Sequence, residues 1–453
     1  MGNATLTSDA NRGKGLWTLS GACLFGVWLT QECFLLSGEY KFSVASVVFL
    51  AAFGAFALVR ASFHVRAIFI AAIFLSLLCL LAIQSPDPIL IGLHRAEVFG
   101  AFIPAVIFLR ASLQPFARIQ PTIAKVAESD NKDILLKGLT GNFLVGSLLN
   151  VGSLHMLVAQ LRSEASNIEM ARLAQASAIG VACAVMWSPF FVSVGFVSQM
   201  LGQVPLVQLL AMCLCLACLM LATFQVYLTG KLDIKGLVYA GRSFGNLLLP
   251  LMLVTVGVIF CSHLFGFSGA QSVVVVAPLV ACSLLLINRP TAILGACRDT
   301  VRGVSRTTDE LLVVIGAMVL GSSIDALPYL RELFQHVTPG AISADLLIPV
   351  IVLSLVLLGQ LGAHPMIGIG ILVPILSSRD FGLDPLVIGM MCVFAWGISA
   401  TVSIWTLPIS ASSAVFSIPV TRLISKRLLF WVFSSALGVS LVLGVLNRVL
   451  LSI

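Results

Sequence analysis

Residues 361–368 read LGAHPMIG, two glycines, a histidine and a proline set within a segment, 345–378, that is otherwise almost wholly apolar. Glycine has no Cβ to hold a helix and proline has no N–H to donate, so this stretch ends one helix and starts another. Backbone freed in this way is tolerated at membrane depth only where protein buries it or a wet cavity receives it. The fold therefore turns on whether the interruption lies inside a bilayer.

Composition answers first. Of 453 residues, 59% are hydrophobic and 10% charged, and the mean hydropathy is +1.07. Such a chain cannot hide its apolar side chains in a water-soluble core, so it reads as an all-α polytopic membrane protein. Apolar runs follow one another from about residue 17 with short polar connections, which leaves no room for a separate soluble domain. The first run reads as an uncleaved span. The net charge of +7 is scattered between spans and not gathered into a patch, which argues against nucleic acid as a partner. Eleven cysteines lie mostly within apolar runs, and Cys213, Cys215 and Cys218 lack the His or carboxylate neighbours of a metal site.

Spanning helices are expected near 17–36, 42–59, 66–83, 93–112, 172–201, 205–228, 244–264, 271–288, 310–327, 385–420 and 428–450, about eleven in all. Segments 134–161 and 345–378 are each too short for two crossings. If each turns back on the side it entered, the 26 Lys and Arg fall on the cytoplasmic, N-terminal side with few exceptions: Lys41, Arg331, Arg379 and Arg448 outside, and Arg95 within a span. A single crossing at either segment would export basic clusters against the positive-inside bias. The two segments therefore read as re-entrant hairpins from opposite faces, with the N-terminus cytoplasmic and the C-terminus outside. The membrane implied is a plasma membrane of the bacterial inner type.

The chain also resembles itself. AEVFGAFIPAVIFL from Ala96 parallels DELLVVIGAMVLGS from Asp309, NVGSLHMLVAQL from Asn150 parallels QLGAHPMIGIGIL from Gln360, and the Trp187-Ser-Pro break parallels Trp405-Thr-Leu-Pro. Each unit reads as helix, hairpin, broken helix, final helix, and the units are inverted, which is an architecture of secondary transporters. The divisions are 1–92 (scaffold helices), 93–230 (first repeat), 231–309 (linker) and 310–453 (second repeat).

This order of elements, around LLNVGS, GAHPMIG, MWSPFF and SIWTLPIS, resembles the ion transporter superfamily, which includes divalent anion:sodium symporters and citrate and arsenite carriers. The Ser-Asn-Thr motif that those symporters carry at each hairpin tip is missing here. The resemblance implies an elevator-type carrier and a homodimer.

Within that frame the hairpin tips and helix breaks form the expected site. Helix N-termini there attract an anion through free N–H groups and the helix dipole. Substrate contacts are expected from Asn150, Gly152, Ser153, His155, Ser188, Gly362, His364, Thr406, Ser410 and Ser412. A coupling ion, sodium or a proton, is expected near Asn150, Trp187, Ser188, His364, Ser403 and Trp405. His155 and His364, paired by the repeat, can carry protons or meet a carboxylate; the plainer role is a neutral ring bonded to turn backbone. The serines equally suit helix packing, and among Glu32, Glu97 and Arg95 an Arg–Glu pair reads as self-neutralising and remote from substrate. Stretches 113–133 and 289–306 are expected to lie along the cytoplasmic interface. The reading is a carrier of a small anion without other cofactor. The alternatives are a channel, or a membrane transferase on a lipid-linked substrate with a histidine as general base.

Overall fold

The computed structural model describes residues 3–117, 131–155, 167–242, 244–304, 307–327, 343–377 and 381–452. Among these every regular element is helical. In chain order they are α1 (Asn3–Ser37), α2 (Tyr40–Arg60), α3 (Phe63–Ile83), α4 (Asp87–Ala117), α5 (Asn131–Leu149), α6 (Asn167–Val185), α7 (Val192–Met200), α8 (Leu206–Thr229), α9 (Ile234–Arg242), α10 (Gly245–Phe265), α11 (Gly269–Asn288), α12 (Ile293–Val304), α13 (Thr308–Asp325), α14 (Ala344–Gln360), α15 (Pro365–Ser377), α16 (Pro385–Ser399), α17 (Leu407–Phe416), α18 (Val420–Leu423) and α19 (Lys426–Leu451).

Among the described residues, seven helices are long and apolar enough to cross a membrane, and an eighth counts if the bent pair Pro290–Val304 and Thr308–Asp325 is one span. Among the other apolar helices, α14 and α15 are separated by the Gly362–Pro365 interruption, and α16 and α17 by the stretch before Pro408. Large apolar side chains face outward along α3 (Phe63, Phe74, Leu81) and α10 (Leu249, Val256, Phe260). Only 11% of the α3 span is buried, against 89% of the α4 span. A water-soluble protein does not expose continuous apolar helix faces of this size; the molecule is a polytopic helical membrane protein.

The helices fall into two compact units, Met1–Pro115 with Ala270–His336, and Phe116–Gly269 with Val337–Ile453. This division runs at other points than repeat boundaries near 93, 231 and 310. Within the first unit, glycines let backbones approach, the usual device where lipid removes the hydrophobic drive between helices. A Cβ on Gly92 of α4 would stand 2.5 Å from the Val319 Cα of α13, and one on Gly100 would stand 2.6 Å from Val27 of α1. Arg95 Nη1 donates to Ser322 Oγ at 3.2 Å. The expected pairing of Arg95 with Glu32 or Glu97 does not form: residues two apart on a helix point to different faces, Glu97 turns to Ser43 of α2, whose hydroxyl donates to it at 2.7 Å, and Glu32 accepts from Trp28 at 3.2 Å. On α12, Ala296, Thr300 and Val304 are buried along one face while Arg298 and Arg302 are exposed. Most of 113–133 lies outside the described residues.

Within the second unit, α5 packs along α6, where a Cβ on Gly180 would collide with the Leu139 carbonyl. The last helix, α19, braces α14 and α16. Asn447 accepts from the Asp384 N–H at 2.8 Å and donates to the Gly382 carbonyl at 2.6 Å, while Asp384 caps α16 through the Leu386 N–H.

Gly180→Ala is expected to destabilise the protein by roughly 1–3 kcal/mol through overpacking. Gly54→Ala, whose Cβ would meet nothing within 4 Å, is expected to be neutral or stabilising by up to about 1 kcal/mol. Thermal unfolding of the two purified variants measures the contrast.

Candidate functional site

Helix α5 ends at Leu149 and the chain reverses at Asn150, whose φ of 54° is left-handed. Asn tolerates that region because its short side chain bonds locally, and here Asn150 Oδ1 accepts from the Val151 N–H at 2.8 Å. Proof of the reversal is Ser153, whose hydroxyl lies 2.8 Å from Asn142 Oδ1 on the incoming helix. Eleven residues of uninterrupted helix would separate them by about 16 Å. The second hairpin reverses at Gly362, φ 87°, and brings Gly368 of α15 against Leu355 of α14. Pro365 opens α15, where its missing N–H costs nothing.

Both reversals strand carbonyls at the end of an apolar helix, and in each case a serine from a helix break supplies the donor. Ser188, between α6 and α7, donates to the Ser147 carbonyl at 2.5 Å, and Ser403, between α16 and α17, donates to the Gly359 carbonyl at 2.7 Å. Ser147 and Gly359 each stand three residues before the left-handed residue of their turn. Each serine oxygen also accepts from the N–H two residues on, Phe190 at 3.2 Å and Trp405 at 3.3 Å. All four groups lie at buried positions of the second unit.

The breaks themselves are closed by hydroxyls. The Val185 carbonyl takes the Ser193 hydroxyl at 2.7 Å, and the Ala400 carbonyl takes that of Thr406 at 3.1 Å. Val185 and Ala400 each precede their latch serine by three residues, so the two breaks repeat one pattern.

The broken helices run antiparallel beside one another. Ser412 donates to the Ala174 carbonyl at 2.7 Å; farther along, Ala182 and Met186 lie against Gly397, and Val197 and Leu201 lie against Gly389. One chain ascends as the other descends, which brings the breaks after Val185 and Ser399 together and carries both hairpin tips with them. Trp396 joins the parts: its ring meets His364 edge-on at 5.4 Å and Phe196 at 6.3 Å.

Of the expected residues, this neighbourhood gathers Asn150, Gly152, Ser153, Trp187, Ser188, Gly362, His364, Ser403, Trp405 and Thr406. Trp187 packs on Phe143 at 5.9 Å, and its buried Nε1 has no hydrogen-bond partner. The Trp405 ring covers Gly362, where a Cβ would stand 3.0 Å from the indole Nε1.

Other expectations change. Ser412 is a staple between helices through its bond to the Ala174 carbonyl, and Ser410 is exposed and bonded back to the Thr406 carbonyl of its own helix at 2.9 Å, as a hydroxyl on an apolar helix commonly is. The tip amides are not left open as expected. Val151 N–H goes to Asn150, Ala363 N–H to the Leu358 carbonyl at 3.0 Å, and Met366 N–H to His364 Nδ1 at 3.3 Å. His155 and His364 are not matched in place, because His364 follows its left-handed residue by two positions and the exposed His155 follows its own by five. The latch carbonyls, Asn142, Ser193 and Trp396 were missed; the Ser-Pro pair at 188–189 and Thr406 before Pro408 signalled breaks with a hydroxyl beside them.

Comparison of the chain with protein-family models finds no match, and comparison with curated protein sequences finds none.

Ser188→Ala is expected to cost about 1–3 kcal/mol, the penalty of a buried carbonyl deprived of its donor, and Ser403→Ala less, because the Gly359 carbonyl keeps the Gly362 N–H at 3.4 Å. Asn150→Gly is expected to be tolerated, whereas Asn150→Val should cost at least about 1–2 kcal/mol at a left-handed position. Denaturation of the purified variants checks this order.

Proposed function

We propose that this protein is a secondary active transporter of a small anion of the organic carboxylate class, and that the second unit carries the site. On this reading the two hairpins enter the bilayer from opposite faces, residues 93–230 and 310–453 are inverted repeats within a chain of about eleven spans, and the hairpin-bearing unit moves against the first unit as an elevator. The observation that carries it is the doubled pattern of tip, latch serine and break on two antiparallel broken helices. Discontinuous helices meeting near a midplane are how carriers bind ions. The separation into two compact units, both hairpins in one, supports the same reading. A relation to the ion transporter superfamily and a homodimeric state belong to this proposal.

His364 favours the proton as coupling ion. Its Nδ1 accepts from the Met366 N–H, so the neutral ring occupies the first free amide of α15. A proton on Nδ1 abolishes that acceptor, releases the amide and turns the ring into a donor at a helix N-terminus, where an anion is held best. Proton and anion then bind together. Sodium as coupling ion would use the second lone pair of the latch and break carbonyls, each of which accepts one hydroxyl.

The sign follows: anion binding strengthens as pH falls, by up to about tenfold per unit while His364 remains neutral. Thermal-shift titration of the purified protein with di- and tricarboxylates, sulfate, sulfonates and arsenite, each at several pH values, tests it. His364→Ala is expected to weaken binding by roughly tenfold or more and to flatten the pH dependence. Stabilisation by no anion at any pH counts against the proposal.

The hairpin topology has its own test. In a chain whose eleven native cysteines are replaced, Ser343→Cys and Ser377→Cys, at the two exposed ends of the second hairpin, are expected to react with an impermeant maleimide from the same side. Labelling from opposite sides would make the segment a crossing.

A further inference from the structure

The first unit holds a polar chain that the transport site does not use. Tyr40 at the start of α2 stands 3.3 Å from His94 Nε2, His94 Nδ1 stands 2.9 Å from Ser43 Oγ, and Ser43 donates to Glu97 Oε1 at 2.7 Å. Exposure falls along it: Tyr40 is 66% exposed, the His94 side chain 29% and that of Glu97 3%. The chain therefore leads from the end of the α2–α4 contact to a carboxyl inside the unit.

The polarity of the chain is determined by its members. With Glu97 as a carboxylate, Ser43 gives its one hydroxyl proton to Glu97, so its oxygen accepts from His94, which places a proton on Nδ1. Nε2 is then the acceptor for the Tyr40 hydroxyl. Every donor points inward.

At the inner end the carboxyl is less tightly held. Glu97 faces Ser46 of α2 as well as Ser43, but Oε2 and Ser46 Oγ complete no hydrogen bond of ordinary geometry, and both amide atoms of Gln31 of α1, a side chain with no exposed surface, are buried without a partner. These groups share one layer: α1, α2 and α4 meet at Val27, Leu50 and Gly100, and Gln31, Ser46 and Glu97 each stand one helical turn away. A hydroxyl and an amide can each donate or accept, so this layer can solvate Oε2 as an anion and can equally accept from it when it carries a proton. A layer with that freedom has little value as packing, since a buried unpartnered amide costs stability. The groups facing Glu97 are His94 on its own helix, Ser43 and Ser46 with Tyr40 beyond on α2, and Gln31 on α1; Arg95 turns away to Ser322.

We propose that Glu97 is a proton-binding site, served from the surface by Tyr40, His94 and Ser43. A proton arriving at Nε2 of His94 displaces the Nδ1 proton to Ser43, whose own hydroxyl proton passes to Glu97; one proton enters, one is bound, and the reverse sequence restores the chain. Buried ionisable residues within membrane helices commonly serve such relays. The inference stands on the first unit alone and holds whether or not the second unit carries an anion.

Infrared difference spectroscopy of the full-length protein in lipid nanodiscs, titrated from acid to alkaline pH, tests it without a transport assay. A carboxylic acid C=O band that disappears on alkalinisation is expected in the wild type and absent from Glu97→Gln. The same band persisting in Glu97→Gln, or no titrating carboxyl band at all, overturns the proposal. A second variant covers the case in which Glu97→Gln does not fold. His94→Phe should retain the band but slow its hydrogen–deuterium exchange by about tenfold or more, in line with the loss of an acid–base group; unchanged exchange removes the relay.

Discussion

A helix that stops inside an apolar interior leaves its last carbonyls without donors, and each costs free energy until one is found. The second unit meets that constraint twice in the same manner, with a serine hydroxyl from a neighbouring helix break given to the carbonyl three residues before the turn. Neither partner is self-sufficient. The break exposes a hydroxyl that needs an acceptor, the hairpin exposes a carbonyl that needs a donor, and the bond between them holds both interruptions at one depth in the unit.

The rest of the second unit follows from holding the interruptions together. Close approach of α5 to α6 requires Gly180, and the crossing of the broken helices requires Gly397 against Met186 and Ala182. Interhelical hydroxyl bonds such as Ser412 to Ala174 add modest energies in apolar surroundings. The resulting core is dense and polar only in small, paired steps. His364 is the ionisable group that this arrangement brings to the second hairpin turn, and its ring is oriented by a backbone amide on one side and Trp396 on the other. In the first unit the polar groups of α1, α2 and α4 are left less fully paired, which is a distinct physical state for a membrane interior and one suited to a mobile proton.

Sequence reading located most of the elements. Apolar runs marked where helices lie, because burial in lipid demands about twenty apolar residues irrespective of neighbours. Gly and Pro marked the interruptions at 361–368, 187–189 and 405–408. The three pairs of similar stretches read from the sequence do not coincide with the positions that the hydrogen bonds and turns pick out. Aligning Trp187 with Trp405 and His155 with His364 follows the most conspicuous side chains, whereas the latch equates Ser188 with Ser403 and the left-handed turn equates Asn150 with Gly362. Under that register Phe190 corresponds to Trp405, and His364 has no histidine counterpart.

The sequence by itself determined that the chain is a helical membrane protein, where its helices run and where they break, since these depend on side-chain transfer energies and local backbone freedom. Which atoms satisfy the broken ends, which hydroxyls only serve their own helix, and that Glu97 turns to Ser43 and His94 while Arg95 turns to Ser322, were decided by the tertiary structure. Those outcomes depend on which helices lie side by side and in what register, and hydrogen bonds between residues far apart in sequence leave no periodic trace in it.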